Sequence, residues 1–198
     1  MTRIISGRLR GRTLRVPPAG TRPTSDRVRE ALFSAIVSRV ELDGAAVLDL
    51  FAGSGALGLE AVSRGADTAW FVEEGARAVT CLKGNTGGLG GVAPGASVVV
   101  RRGALPAAVA GPCPLPGGFD LVLADPPYDC SAVLDAPVLE ALAAGGWLVG
   151  DALVVWERSA RDPEVRWPDG YEVEFSRRYG ETAVEMARYV AGEGPGDD

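Results

Sequence analysis

The sequence predicts an α/β fold, a mostly parallel sheet with helices on both faces. Three observations carry this. From residue 45 onward, short apolar runs alternate with segments of helical period, the pattern of repeated βα units. A glycine-rich stretch follows the first apolar run, where a parallel strand turns into its helix. After residue 170 the alternation stops and two strand-like runs meet across a turn, which adds an antiparallel strand near one edge.

The elements follow in chain order. Arg3-Ile4-Ile5 and Arg12-Thr13-Leu14-Arg15-Val16 are short, partly alternating runs around Gly7 and Gly11. They pair as a β-hairpin arm, ended by Pro17-Pro18-Ala19-Gly20. Thr24 or Ser25 caps a helix whose Val28, Ala31, Leu32, Ala35 and Ile36 fall at helical spacing. Strands are predicted over residues 45–50, 68–73, 97–101, 119–124 and 152–157, and helices over 54–64, 76–83, 105–110 and 131–144. Six glycines within 84–95 end the helix that starts at Ala76. The last strands are 171–175 and 183–190, with Tyr179-Gly180-Glu181-Thr182 turning between them. The expected organisation is a basic arm over 1–23, one domain over 24–191 and a disordered acidic tail over 192–198.

Composition narrows the chemistry. A chain of 198 residues, 46% hydrophobic, holds one domain with an ample core. It has no apolar run of about 18 residues, so no membrane span is expected. The first residues lack the apolar stretch of a signal peptide. Cys81, Cys113 and Cys130 are far apart, which argues against a disulfide framework or zinc site and for a reducing cytoplasm. The chain has no histidine. That removes a His general base, a Ser-His-Asp triad and most transition-metal sites. Carboxylates, backbone groups, aromatics or a non-metal cofactor must then carry any reaction.

The net charge of −6 hides an asymmetry. Residues 1–30 hold eight arginines against Asp26 and Glu30, a net of +6 on an otherwise acidic chain. A basic arm on an acidic body suits a polyanionic partner such as nucleic acid; a solvated basic hairpin is the plain alternative.

Asp49-Leu50-Phe51-Ala52-Gly53-Ser54-Gly55-Ala56-Leu57-Gly58 joins the first strand of the alternating region to its helix. Gly53, Gly55 and Gly58 match the Rossmann-like G-x-G-x-x-G pattern, and Glu73 lies 20 residues past Gly53, at the end of the next strand. Such a loop lets backbone approach a ligand closely, and such an acid suits ribose hydroxyls. Asp49 separates the candidate nucleotides. A pyrophosphate is repelled by a carboxylate four residues before the first glycine. S-adenosylmethionine, with its ammonium and sulfonium, is attracted by one. A nicotinamide oxidoreductase is disfavoured on this ground.

Asp125-Pro126-Pro127-Tyr128 is the most informative feature. It follows the apolar run Phe119 to Ala124 and so lies at a strand's C-terminal end. These residue types suit the methylation of a nucleobase amine. That nitrogen is a poor nucleophile because its lone pair is delocalised into the ring. Two acceptors that hold both N–H groups free the lone pair. The Asp125 side chain and the Pro126 carbonyl supply them, and the prolines stiffen the loop. Tyr128 offers a ring for stacking on an extruded base, worth about 1–3 kcal/mol. An ordinary strand-ending turn is the alternative, but the glycine loop two βα units upstream argues against it.

Taken together, these residues resemble a known family. The stretch Arg22-Pro23-Thr24-Ser25-Asp26-Arg27-Val28-Arg29-Glu30-Ala31-Leu32-Phe33 is similar to the N-terminal helix signature of the RsmD-type 16S rRNA guanine-N2 methyltransferases. Residues 49–60, Phe71-Val72-Glu73, Asp125 to Tyr128 and Tyr179-Gly180-Glu181-Thr182 match that family in the same order. The resemblance implies a class I S-adenosylmethionine-dependent methyltransferase fold: a seven-stranded, mostly parallel sheet with an antiparallel last strand, plus the N-terminal β-hairpin arm. It implies S-adenosylmethionine as cofactor, bound by Asp49, Ala52, Gly53, Gly55, Glu73, Ala104 and Asp125. It gives the catalytic roles to Asp125, Pro126, Pro127 and Tyr128. It implies 16S rRNA of the small ribosomal subunit as partner, gripped at phosphates by Arg3, Arg8, Arg10, Arg12, Arg15 and Arg22. A monomer without metal or membrane contact is expected. One departure is the stretch Arg101-Arg102-Gly103-Ala104, where related enzymes often carry an acid near the adenine. Backbone groups of Ala104 take that role here.

Two other functions fit parts of the pattern. DNA adenine-N6 methyltransferases use the same four residues, but the Arg22 to Phe33 signature and the lack of a target-recognition insertion oppose that reading. A non-catalytic RNA-binding module of the same fold would bind RNA without binding the cofactor.

Overall fold

The arm is built first. Strands β1 (Thr2–Arg3) and β2 (Thr13–Leu14) pair antiparallel as a small separate sheet. The main sheet contains β3 (Ala46–Leu50), β4 (Thr68–Glu73), β5 (Ser97–Arg102), β6 (Phe119–Ala124), β7 (Leu148–Ser159), β8 (Tyr171–Tyr179) and β9 (Thr182–Tyr189). These observations come from a computed structural model that describes residues 2–17, 26–87, 95–127 and 131–190. The strand order is β5-β4-β3-β6-β7-β9-β8. Strands β5, β4, β3, β6 and β7 run parallel, while β9 is antiparallel to both β7 and β8. The expected antiparallel last strand is therefore second from the edge, inserted between β7 and β8.

Helices α1 (Asp26–Val37), α2 (Ala56–Ser63), α3 (Ala76–Thr86) and α4 (Ser131–Ala144) flank this sheet. Alternate strand residues feed opposite faces. Val47, Leu121 and Leu153 pack with Leu32, Phe33 and Ile36 of α1. Leu48, Val122 and Val154 pack with Val138, Leu139 and Leu142 of α4. Strands covered on both faces read as unbroken apolar runs, which is why their sequence signal is strong. The chain leaves β3 toward β4 and β5, then crosses back to β6 on β3's other side. That reversal opens a crevice above the C-terminal ends of β3 and β6.

The hairpin arm is docked on α2. Glu60, buried in that helix, accepts the N–H groups of Ile5 at 2.7 Å and Ser6 at 3.0 Å. Ser63 Oγ accepts Leu9 N–H at 2.9 Å and donates to the Ser6 carbonyl. Ile4, Leu9 and Leu14 complete a third apolar cluster with Leu59, Val62 and Leu82.

Several boundaries differ from the sequence expectation, each for a local reason. Helix α3 runs past Lys83 to Thr86, because Asn85 is buried with three good hydrogen bonds. Its Nδ2 donates to the carbonyls of Arg15 at 2.9 Å and Ser54 at 2.8 Å, and its Oδ1 accepts Arg15 N–H at 2.9 Å. Residues 105–110 form only a short 3₁₀ turn, Ala107–Val109. Strand β7 starts at Leu148 across a bulge opposite the step from Phe119 to Leu121, with Asp151 at φ 73°. The last hairpin turns on Gly180 and Glu181 alone, since Tyr179 and Thr182 already pair. The helix cap at Thr24 or Ser25 and the tail over 192–198 lie outside the described residues.

Candidate active site

The two loops singled out by sequence open side by side. Leu50 at the end of β3 pairs in register with Ala124 at the end of β6. The glycine loop and Asp125 therefore leave neighbouring strands at the same level, at the crevice.

The glycine loop is a chain of left-handed residues. Phe51, Gly53 and Gly55 have φ of 57°, 53° and 80°. Gly55 requires its missing side chain twice over, since a Cβ there would also lie 2.4 Å from Leu82 Cδ1. Backbone donors tie the loop to β4. Ala52 N–H donates to the Val72 carbonyl at 3.1 Å. Gly53 N–H donates to Glu73 Oε2 at 2.8 Å, and Gly75 N–H to Glu73 Oε1 at 2.7 Å. Glu73 is thus fixed with each oxygen holding one backbone donor. A carboxylate oxygen accepts about two hydrogen bonds, so a vicinal diol still finds a bidentate acceptor here.

Asp49 lies under the loop, 2% exposed. Its Oδ2 accepts Gly58 N–H at 2.8 Å, one of the donors that the first turn of α2 leaves without an intrahelical partner. Burial pushes the Asp49 carboxyl up to about 8; the Glu73 carboxylate adds to this and the Gly58 N–H opposes it.

Asp125 is half-buried, Pro126 buried and Pro127 exposed; Tyr128 lies outside the described residues. Burial raises the Asp125 carboxyl well above the usual range, and the carboxylates of Glu157 and Asp49 raise it further. Glu157 follows Trp156, the β7 residue opposite Ala124. Acidic groups thus converge where β3, β6 and β7 end, a costly arrangement in an empty protein. A ligand with an ammonium and a sulfonium relieves it, so the donor set fits S-adenosylmethionine. Ala104 is exposed beyond β5, and its carbonyl accepts Ala108 N–H at 2.8 Å. Neighbouring Gly103 donates to the Glu73 carbonyl at 3.0 Å, which brings Ala104 to the β4 side of the loop.

The basic arm divides. Arg3 pairs with Asp26 at 3.1 Å. Arg12 donates to the carbonyls of Gly87 at 2.8 Å and Asn85 at 3.3 Å, and Arg8 to that of Val62 at 3.3 Å. The Arg10 and Arg15 side chains are exposed and make no side-chain hydrogen bond or ion pair among the described residues. Arg22 lies outside them. Arg29 is buried and holds Thr2 Oγ1 at 2.8 Å and Asp26 at 3.0 Å.

Sequence reasoning missed Glu60, Asn85 and Glu157. Two of them carried a signal, a lone acid inside or ending an apolar run; Asn85 carried none. No group of His, Cys, Asp and Glu among the described residues is arranged to hold a metal, and no helix among them is long and apolar enough to cross a membrane.

This strand order, with this loop and acid at its switch point, defines a class: the S-adenosylmethionine-dependent methyltransferases. The family described as "Conserved hypothetical protein 95" matches residues 2–188. Ribosomal RNA small subunit methyltransferase D of Escherichia coli is 34% identical over 197 residues, 98% of this chain and 94% of that protein. The Haemophilus influenzae protein of the same name is 36% identical over 162 residues, 81% of this chain and 80% of its own. A solved Escherichia coli structure superposes with a TM-score of 0.79 at 33% identity, covering 96% of this chain and 98% of that one. The chain belongs to the ribosomal RNA small subunit methyltransferase D family.

Proposed function

We propose that this protein transfers a methyl group from S-adenosylmethionine to the exocyclic N2 of one guanine in 16S rRNA of the small ribosomal subunit. The observation that carries this reading is the register of Leu50 with Ala124. It sets the Asp125 loop beside the glycine loop, so an amine held at one lies next to a donor held at the other. The small-subunit substrate rests on the relatives' name and the guanine on the family resemblance.

Each residue then has its task, and Asp125 has two. Gly53, Gly55 and Ala52 let backbone close around the donor, and Glu73 takes its ribose hydroxyls. Asp49 and Asp125 face its positive charges, and Ala104 lines the adenine end. S-adenosylmethionine supplies an electrophilic methyl group. Asp125 and the Pro126 carbonyl accept the two amino hydrogens of guanine, and Tyr128 stacks on the base. Holding both partners in line converts an encounter into an effectively unimolecular step. Arg10, Arg15 and Arg22 face phosphates, while Arg3, Arg8 and Arg12 also hold the arm to the protein's own groups. The enzyme works as a cytoplasmic monomer.

The test is methylation of small subunits that lack the modification, followed by nucleoside mass spectrometry. N2-methylguanosine is the expected product. A different methylated nucleoside overturns the acceptor, and N6-methyladenine formed in duplex DNA alone would put the DNA reading first.

A further inference from the structure

Glu157 belongs to no sequence motif and has no task in the scheme above. It is nevertheless the closest acid to Asp125 by topology. Strands β6 and β7 run parallel with Ala124 opposite Trp156. Strand β6 ends at Ala124, so the next position on each chain brings Asp125 near Glu157, within its electrostatic range. Glu157 is 3% exposed. A buried carboxylate needs compensation, and the Arg29 guanidinium from α1, also buried, lies within its electrostatic range. Arg29 is in turn fixed by Asp26 and Thr2, with the Glu60 carboxylate within range on its arm side. Asp125 faces Glu157 from β7 and Asp49 from β3, both negative when ionised.

We propose, on the methyl-transfer reading above, that Glu157 is a positioning residue for that reaction. Held ionised by Arg29, it makes ionisation of Asp125 conditional on the cationic donor, so the acceptor clamp becomes charged only when the donor is seated.

The physical reason is the coupling of two neighbouring carboxyls, Glu157 buried and Asp125 half-buried. Both cannot ionise cheaply in an empty site. Arg29 favours the charge on Glu157, so Asp125 keeps its proton. A sulfonium beside Asp125 reverses the balance, and the proton leaves to solvent. Asp125 is then a charged acceptor, able to hold the amino hydrogens more strongly than its neutral form. A guanine entering before the donor meets a weaker clamp, which favours donor-first binding.

Carboxyl ¹³C NMR of the full chain tests this, with Asp125 identified by its loss in Asp125→Asn. Titrations compare the free protein, the protein with S-adenosylmethionine and the protein with S-adenosylhomocysteine, whose sulfur is neutral. The Asp125 midpoint is expected to fall with the sulfonium donor and to fall less with the neutral product. In Glu157→Gln it is expected to lie below that of the free wild type and to fall less on donor binding, while burial and Asp49 still hold it above the ordinary carboxylate range. An Asp125 midpoint unmoved by the donor in the wild type overturns the proposal without any variant. So does a Glu157→Gln protein that titrates like free wild type.

The pH–rate profile supplies the kinetic counterpart. The ratio of Glu157→Gln to wild-type rate is expected to be at least about threefold higher at pH 6 than at pH 9, as an acid limb moved to lower pH requires. An equal ratio at both pH values contradicts the role. Absence of methyl transfer by the wild type would defeat the functional reading alone, since the NMR titration needs no RNA.

Discussion

Gly58 N–H donates to Asp49 Oδ2 at 2.8 Å, joining the end of β3 to the first turn of α2. One carboxyl thus closes the glycine loop from beneath and, once ionised, places negative charge under the candidate donor site. These two tasks separate in Asp49→Asn. The amide oxygen still accepts the Gly58 N–H, but the charge is gone. S-adenosylmethionine affinity is expected to fall by about 10- to 100-fold with the fold intact, the worth of one partly buried charge on a cation. Calorimetry and thermal unfolding of the same samples check this.

The pH dependence follows from the same residue. Asp49 is raised to about 8 in the folded chain, against about 3.9 when unfolded. Its contribution to stability is full below the unfolded value and is lost as pH rises through the folded one. Ligand-free wild type should therefore lose stability relative to Asp49→Asn between about pH 4 and 8. Donor affinity of the wild type should rise over that window and level off above it, while the variant's stays flat. Denaturation and calorimetry at pH 5, 7 and 9 read both trends.

Gly58→Ala tests the packing behind that bond. An added Cβ would lie 2.4 Å from Phe71 Cε1 and 2.9 Å from Asp49 Oδ2. Phe71 is fully buried and has little room to yield. The expected loss is about 1–3 kcal/mol in urea denaturation, the usual cost of overpacking, with weaker donor binding as the loop shifts.

The arm has its own test at Glu60. Removing its carboxylate in Glu60→Ala strands the part-buried donors of Ile5 and Ser6, at up to about 1–3 kcal/mol for each unpaired group. Hydrogen exchange should show residues 4–14 losing protection while β3, β6 and β7 keep theirs. Equal loss across the sheet would mean that Glu60 supports the whole domain instead.

The arm's arginines should divide as their geometry does. Arg10→Gln with Arg15→Gln is expected to weaken binding to small-subunit RNA about equally for all sequences. It should also reduce the salt slope by about 0.7 to 0.9 per lost phosphate contact. Arg3→Gln and Arg12→Gln should lower stability more than they change the slope, because both side chains bond to the protein's own groups.

What the sequence revealed follows the range of the forces involved. The strands were legible because burial on both faces leaves no polar position in a run such as Phe119 to Ala124 beyond Asp120, which turns aside to bond Ala46 N–H. The glycine loop and its acid were legible because backbone approach and a strand-end carboxylate demand those residue types at that spacing. The docking of the arm was not, since Glu60 and Ser63 meet Ile5, Ser6 and Leu9 across more than 50 residues. The bond from Asn85 to Ser54 and Arg15 was hidden for the same reason, and so the end of α3 was placed short. Glu157 became visible only through strand register, which fixes its neighbour and which no local pattern records.

A crystal structure with S-adenosylmethionine decides whether donor and acceptor sites are one. The donor's ribose is expected on Glu73, with its methyl carbon turned toward Asp125 and room for one planar base between them. The amine nitrogen of that base would then sit about 3–3.5 Å from the methyl carbon, the span of a near-attack geometry. A donor bound with its methyl group turned away from Asp125, across the sheet or toward β5, would contradict the assignment of Asp125 as the acceptor clamp.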